Sequence, residues 1–270
     1  SYTIYFQLEA NKRREPMATV KSKSPETVQI HTIKQGLLKL RIIGDTPMYF
    51  NSMGSKAMRD LLVGAQRKTA AEKREIKHNP EKEFRETMYR QRDGKTMLYF
   101  PSTGIKKGLA TAALETAGIT KANVNRLIYI PEAKIDIWGK PYLKMDVVRA
   151  ADMNRTPDIR TRAYLPRWCS EVTIKYCTPT FNAQGVISLL ANSGMICGLG
   201  DNRQEKGNGS FGSFSVYSAE DMGEGQGLWD EIVAEGREVQ ELAYEYPECY
   251  DDETQELMDF LNEERIRRAA

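Results

Sequence analysis

The sequence predicts an α+β fold, an antiparallel sheet with helices on one face, insertions, and an acidic helical C-terminal tail. Three observations carry that reading. Runs such as GLLKLRIIG, EVTIKYC and SFSVY alternate apolar and polar residues, which is the period of a half-buried strand. FPSTGIKKGLATAALETAG and NAQGVISLLANSG have helical spacing with a polar start and a glycine stop. The order strand, helices, strands, strand, helix, strand then fits a split βαβ plan.

Residues 1–25 read as an N-terminal arm: the first sixteen have no continuing period, and Met17 stands before a Lys/Ser-rich lead as a second possible start. From Val28 to Ile43 the chain is extended, with Leu38, Leu40 and Ile42 on one face, and Gly44-Asp45-Thr46-Pro47 breaks it. SKAMRDLLVGAQ predicts a helix capped by Ser55, with Met58, Leu61 and Leu62 inward and Lys56 and Arg59 outward. The charged stretch from Arg67 to Lys95, broken at Asn79-Pro80, reads as a solvated helix pair or an excursion.

In the next helix Ser102 is the expected cap, Ile105, Leu109, Ala112, Ala113 and Thr116 line one side, and Gly118 is the stop. RLIYI and KIDIW are short strands, and Lys144 to Trp168 is a Pro/Arg-rich connection. EVTIKYC places Val172, Ile174 and Tyr176 together; the helix after it is capped by Asn182 and ended by Gly194. A glycine loop leads to the strand SFSVY. The body, residues 26–217, thus fits a ferredoxin-like plan. GEGQG reads as a linker into two acidic helices, Leu228 to Tyr246 and Asp251 to Ala269, that make up a tail over residues 218–270.

Net charge is +2, but its distribution is uneven. Residues 218–270 hold 17 Asp or Glu and 4 Lys or Arg, a net of −13, which leaves +15 for residues 1–217. A basic body suits a polyanion, and an acidic tail either competes for the same surface or serves as a soluble appendage. No apolar run approaches the roughly 20 residues of a membrane helix and no signal-peptide layout is present, so the expected setting is cytoplasmic, the host cytoplasm if the chain is phage-encoded. Cys169, Cys177, Cys197 and Cys249 show no C-x-x-C spacing and the histidines are His31 and His78 alone, which argues for reduced thiols and against a zinc site. No cofactor or metal is expected.

The stretch GLGDNRQEKGNGSFGSFSVY holds Gly207-x-Gly209-x-x-Gly212, but strand spacing follows it where a dinucleotide fingerprint needs a helix, and no Gly-Lys-Ser/Thr closes it. Glycines let backbone N–H groups approach a phosphate, and Arg203 and Lys206 add charge. The plain alternative is a connection that needs positive φ. Arg149, Arg155, Arg160, Arg162 and Arg167 occur with Tyr164 and Trp168, forks for phosphates beside rings for bases. Pairing to Asp146, Asp152 and Asp158, with Trp168 in the core, is the competing account. Lys106 and Lys107 near a helix start are placed for an anion. Paired carboxylates and a Ser-His-Asp set are absent from any recognisable context, so no catalytic residue is assigned.

The G-h-G, polar insert, G-x-G arrangement between last helix and last strand, at Gly198, Gly200, Lys206, Gly207, Gly209 and Gly212, resembles the signature of the RAMP superfamily, the repeat-associated subunits of CRISPR complexes. Met17 to Tyr217 also looks like a widespread group of phage and prophage proteins, in IIGDTPMYFNSMGSKAMRDLL, FPSTGIKKGLATAA, MDVVR and TRAYLPRW. The resemblance implies a RAMP- or RRM-like fold and non-enzymatic binding of single-stranded DNA or RNA by a homo-oligomer lying along the strand. RAMP ribonucleases usually need a histidine near the first strand; His31 precedes the main strand, so metal-independent cleavage is the alternative, and a phage assembly or inhibitor protein acting through its acidic tail is another.

Overall fold

In chain order the strands are β1 (Lys34–Gly44), β2 (Met48–Tyr49), β3 (Tyr99–Pro101), β4 (Ile128–Tyr129), β5 (Lys134–Trp138), β6 (Tyr142–Arg149), β7 (Pro157–Leu165), β8 (Cys169–Thr178) and β9 (Phe214–Ser218). The helices are α1 (Ser55–Val63), α2 (Pro80–Thr87), α3 (Ser102–Ala112), α4 (Lys121–Leu127), α5 (Ala183–Ile196), α6 (Gly225–Ala234), α7 (Arg237–Glu245) and α8 (Asp252–Ala269). The structure, a computed structural model, describes residues 32–64, 78–149, 155–206 and 209–269. The proposed arm, His31 and most of the charged stretch up to Lys77 lie outside the described residues.

β1 is central in an antiparallel sheet ordered β3-β5-β8-β1-β9, with β4 also beside β8. Alternation sends Leu40 and Ile42 of β1 and Val172, Ile174 and Tyr176 of β8 to one face. There they share a core with Ile105 and Leu109 of α3 and Val186, Leu189 and Leu190 of α5. On the opposite face Ile43, Trp138 and Cys169 form a smaller core with Met222, Trp229 and Ile232. A second antiparallel sheet has the order β2-β7-β6.

Helix α5 starts as expected, with the Asn182 side chain accepting from the Gly185 N–H at 2.7 Å. Its end differs. The helix runs past Gly194, where the missing side chain lets β9 pass close by: a Cβ there would collide with the Phe214 carbonyl oxygen. Gly198, at φ +67°, supplies the left-handed residue beyond the helix. Ser102 likewise is a buried first residue of α3 rather than its cap, which is Pro101.

Three further expectations are revised. In α1, Met58, Leu61 and Leu62 are 53%, 75% and 85% exposed rather than inward; periodicity shows that a face is apolar, not that a partner element covers it. The charged stretch is not simply solvated from Asn79-Pro80 onward: Asn79 caps α2 by accepting from the Lys82 N–H at 3.2 Å, Pro80 needs no donor in the first turn, and Phe84 and Thr87 of α2 are buried. The stretch from Lys144 to Trp168 is mostly a β-hairpin, β6 and β7, in register from Tyr142↔Tyr164 to Arg149↔Pro157. Its strict alternation was hidden by its arginines.

The acidic tail is no appendage. Residues from Ile33 to Ala270 group as one unit. GEGQG runs into α6, and the stretch from Leu228 to Tyr246 is split into α6 and α7 at Glu235-Gly236. Gln240 of α7 is completely buried: its carbonyl oxygen accepts from the N–H groups of Met97 and Leu98 at 2.9 and 3.1 Å, and its amide donates to the carbonyls of Ile137 and Gly139 at 2.8 and 3.1 Å. Tail carboxylates also reach the body, Glu248 to Lys140 at 2.7 Å and Asp251 to Lys144 at 2.8 Å.

Candidate nucleic-acid interface

Direct partners in an antiparallel ladder point to the same side. One face of the hairpin therefore carries Asp158, Arg160, Arg162 and Tyr164 of β7 opposite Val148, Asp146, Lys144 and Tyr142 of β6. The glycine loop is held against this face through β2. The Asp201 N–H donates to the Tyr49 carbonyl at 3.0 Å, and the Phe211 ring lies 4.8 Å from that of Tyr49 and 6.5 Å from that of Tyr164. Between loop and hairpin is a recess of about 350 Å³ lined by Tyr49, Lys144, Asp146, Arg162, Asn202 and Phe211, among others.

Its inner half is a closed charge network. The Arg162 guanidinium is 3.1 Å from Asp201 and 3.9 Å from Asp146, lies 5.7 Å over the Tyr49 ring, and is nearly buried with its Nε unpartnered. Tyr49 donates to Asp146 at 3.3 Å; burial and that carboxylate hold its phenol far above the usual range. Lys144 pairs with Asp251 and sits about 5 Å over both Tyr164 and Tyr250. A phosphate entering here must first displace a carboxylate. Beyond the recess the hairpin is different: Arg149, Arg155 and Arg160 are exposed and, among the described residues, have no ion pair, although Arg149, opposite Pro157, projects from the other face than Arg160.

The glycines prove to serve the loop's own closure. Gly212 is at φ +75°, and a Cβ there would collide with the Leu199 carbonyl, as one at Gly209 would with that of Asn202. Leu199 donates to the Gly212 carbonyl and Gly212 to that of Pro47, each at 2.8 Å. The space that was expected to admit a phosphate is filled by backbone. Arg203 pairs with Glu205 at 3.0 Å and donates to the Gly200 carbonyl. The Lys206 side chain and Gly207 lie outside the described residues.

Trp168 is fully buried, its indole donating to the Thr46 carbonyl at 2.9 Å and its ring packed on Phe214; it is core and has no open face for a base. Tyr164 is buried between Tyr49 and Tyr250, at 4.9 and 4.3 Å between ring centres, and burial raises its phenol pKa. Arg167 is taken up by Glu231 and Glu235 at 3.0 and 2.9 Å. Lys106 donates to the Asn125 carbonyl at 3.1 Å, Lys107 is exposed, and neither lines the recess.

One residue that sequence reasoning set aside is well placed. His78 has Nδ1 3.0 Å from Glu83 and Nε2 3.1 Å from Asp158, at a second recess of about 260 Å³ that Arg160 and Arg162 also line. No sequence signal joins it to Asp158, which is 80 positions away. Among the described residues no cluster of three or more His, Cys, Asp or Glu is arranged to hold a metal ion, and no helix is long and apolar enough to cross a membrane. No protein-family model matches the chain, and no curated protein matches it.

Proposed function

We propose that the chain binds single-stranded DNA or RNA without cleaving it, copies lying side by side along the strand in the cytoplasm. The observation that carries this is that Arg149, Arg155 and Arg160, toward the far end of the β6–β7 pair, are exposed and have no ion pair among the described residues, while Lys144 and Arg162 nearer the loop are neutralised. Loose guanidinium groups are ready donors to a sugar-phosphate chain, which they grip without reading bases. The strand order β9-β1-β8-β4/β5, with α3 and α5 packed on one face, supports a ferredoxin-like reading of the body and, with it, the RAMP-like resemblance. Both ring nitrogens of His78 face carboxylates, while His31, on which the cleavage reading rests, lies outside the described residues.

The test is a titration with single-stranded DNA, single-stranded RNA and duplex at several salt concentrations. Log affinity for single strands should fall with log salt, by roughly 0.7 per phosphate neutralised. Replacing Arg149, Arg155 and Arg160 together by Ala should lower that slope by about 2. A wild-type chain that holds no single strand even at low salt would end the proposal.

A further inference from the structure

The face of the large sheet turned away from α3 and α5 is covered over only part of its length. The register sets it out in cross-strand rows. At one end Trp138, Cys169 and Ile43 lie under Met222, Trp229 and Ile232. In a neighbouring row Arg41, opposite Glu171 and Tyr217, is closed off as well: its guanidinium is 4.7 Å over the Trp229 ring and its Nε is 3.7 Å from Glu171. Past Arg41, among the described residues, the cover stops. Lys39 stands exposed opposite Thr173, and the row beyond reads Tyr129, Lys175, Leu37 across three adjacent strands.

That open row is unusual for a sheet centre. Leu37 is 57% and Tyr129 41% exposed, and the Lys175 ammonium is 5.6 Å over the Tyr129 ring. Among the described residues neither Lys39 nor Lys175 has an ion pair, and Glu171, the carboxylate of the adjoining row, already belongs to Arg41. An exposed ring, an aliphatic neighbour and two uncompensated cations call for a ligand that is flat and apolar in one part and anionic in another. We infer that this open end of the sheet is a second contact surface for single-stranded nucleic acid, with an unpaired base on Tyr129 and flanking phosphates on Lys39 and Lys175. A duplex keeps its bases stacked inside and cannot offer one. The chain's own residues 1–31 are the competing cover, but with Lys12, Arg13, Arg14, Lys21 and Lys23 against Glu9, Glu15 and Glu26 they add positive charge to positive charge.

This inference rests on the single-strand reading, yet the two fail separately. The full chain is titrated with fluorescein-labelled oligo(dU) and with a duplex of the same length, for wild type, Tyr129→Ala, Tyr129→Phe and the Lys39→Ala/Lys175→Ala pair. Tyr129→Ala should weaken single-strand binding by about 5- to 150-fold, the range of one base–aromatic stack, while Tyr129→Phe stays near wild type and duplex binding is unchanged. The lysine pair should lower the salt slope by about 1.4. Photocrosslinking of 5-iodouridine oligonucleotides to the wild-type chain, read by mass spectrometry, should mark Tyr129 and does not depend on how any variant folds. Wild-type affinity in Tyr129→Ala, or crosslinks confined to the hairpin, overturns the sheet-face site; if the arginine variant still loses affinity, the hairpin reading survives. No binding by wild type removes both.

Discussion

Gln240→Ala is expected to lower stability by about 3–5 kcal/mol, because two buried N–H groups and two buried carbonyls lose their partner at once, each worth about 1–3 kcal/mol when fully orphaned and less where water enters the gap. The melting temperature should drop by roughly 2–4 °C per kcal/mol in a chain of this size. Gln240→Glu separates hydrogen bonding from packing. It keeps the shape, but one oxygen must face the carbonyls of Ile137 and Gly139, which only a protonated carboxyl can satisfy. Its folded pKa is therefore raised above the unfolded value of about 4.3. The stability of this variant should then decline as pH rises from about 4, where the native state holds the proton that the unfolded state releases. Urea titrations at acid and neutral pH read this directly. A Gln240→Glu chain as stable as wild type at neutral pH would show that the two bonds donated to Ile137 and Gly139 contribute nothing.

Gly212→Ala should cost about 3 kcal/mol or more. A left-handed conformation charges an alanine about 1–2 kcal/mol, and the collision with the Leu199 carbonyl adds to it by forcing apart the bonds from Leu199 to Gly212 and from Gly212 to Pro47. Gly118 provides the control: its φ is +83°, yet nothing lies within 4 Å of a Cβ there, so Gly118→Ala should show the conformational cost alone. Chemical denaturation of the two variants isolates the collision as their difference. Were the glycine loop an open phosphate cradle, Gly212→Ala would cost no more than Gly118→Ala and would remove nucleic-acid affinity; the closed loop predicts the larger loss of stability.

Much of the large sheet was legible because its strands and helices obey one period each. Leu40 and Ile42, Val172 and Ile174, and the Asn182 cap follow from spacing and local chemistry that no distant residue has to confirm. The β6–β7 hairpin obeys its period equally well, but arginines at Arg160 and Arg162 drew attention to charge over alternation. Pairing was the hardest thing to read. That Arg162 meets Asp201, or Arg167 meets Glu231 and Glu235, depends on elements brought together from 39 or more positions apart. The tail misled for a related reason: its acidity is real, whereas its fully buried polar side chains, Gln240 and Thr254, are neutral and carry no mark in composition.

The position of β1 has a consequence during synthesis. It leaves the ribosome before its ladder partners, which run from Cys169 to Thr178 and from Phe214 to Ser218. At bacterial to eukaryotic elongation speeds of roughly 5–20 residues per second, its two bare edges wait several seconds to half a minute for β8 alone. During that interval an apolar strand with unpaired backbone is open to pairing with another nascent chain. Lys39 and Arg41, set among its leucines and isoleucines, place like charges at each such encounter and so discourage it.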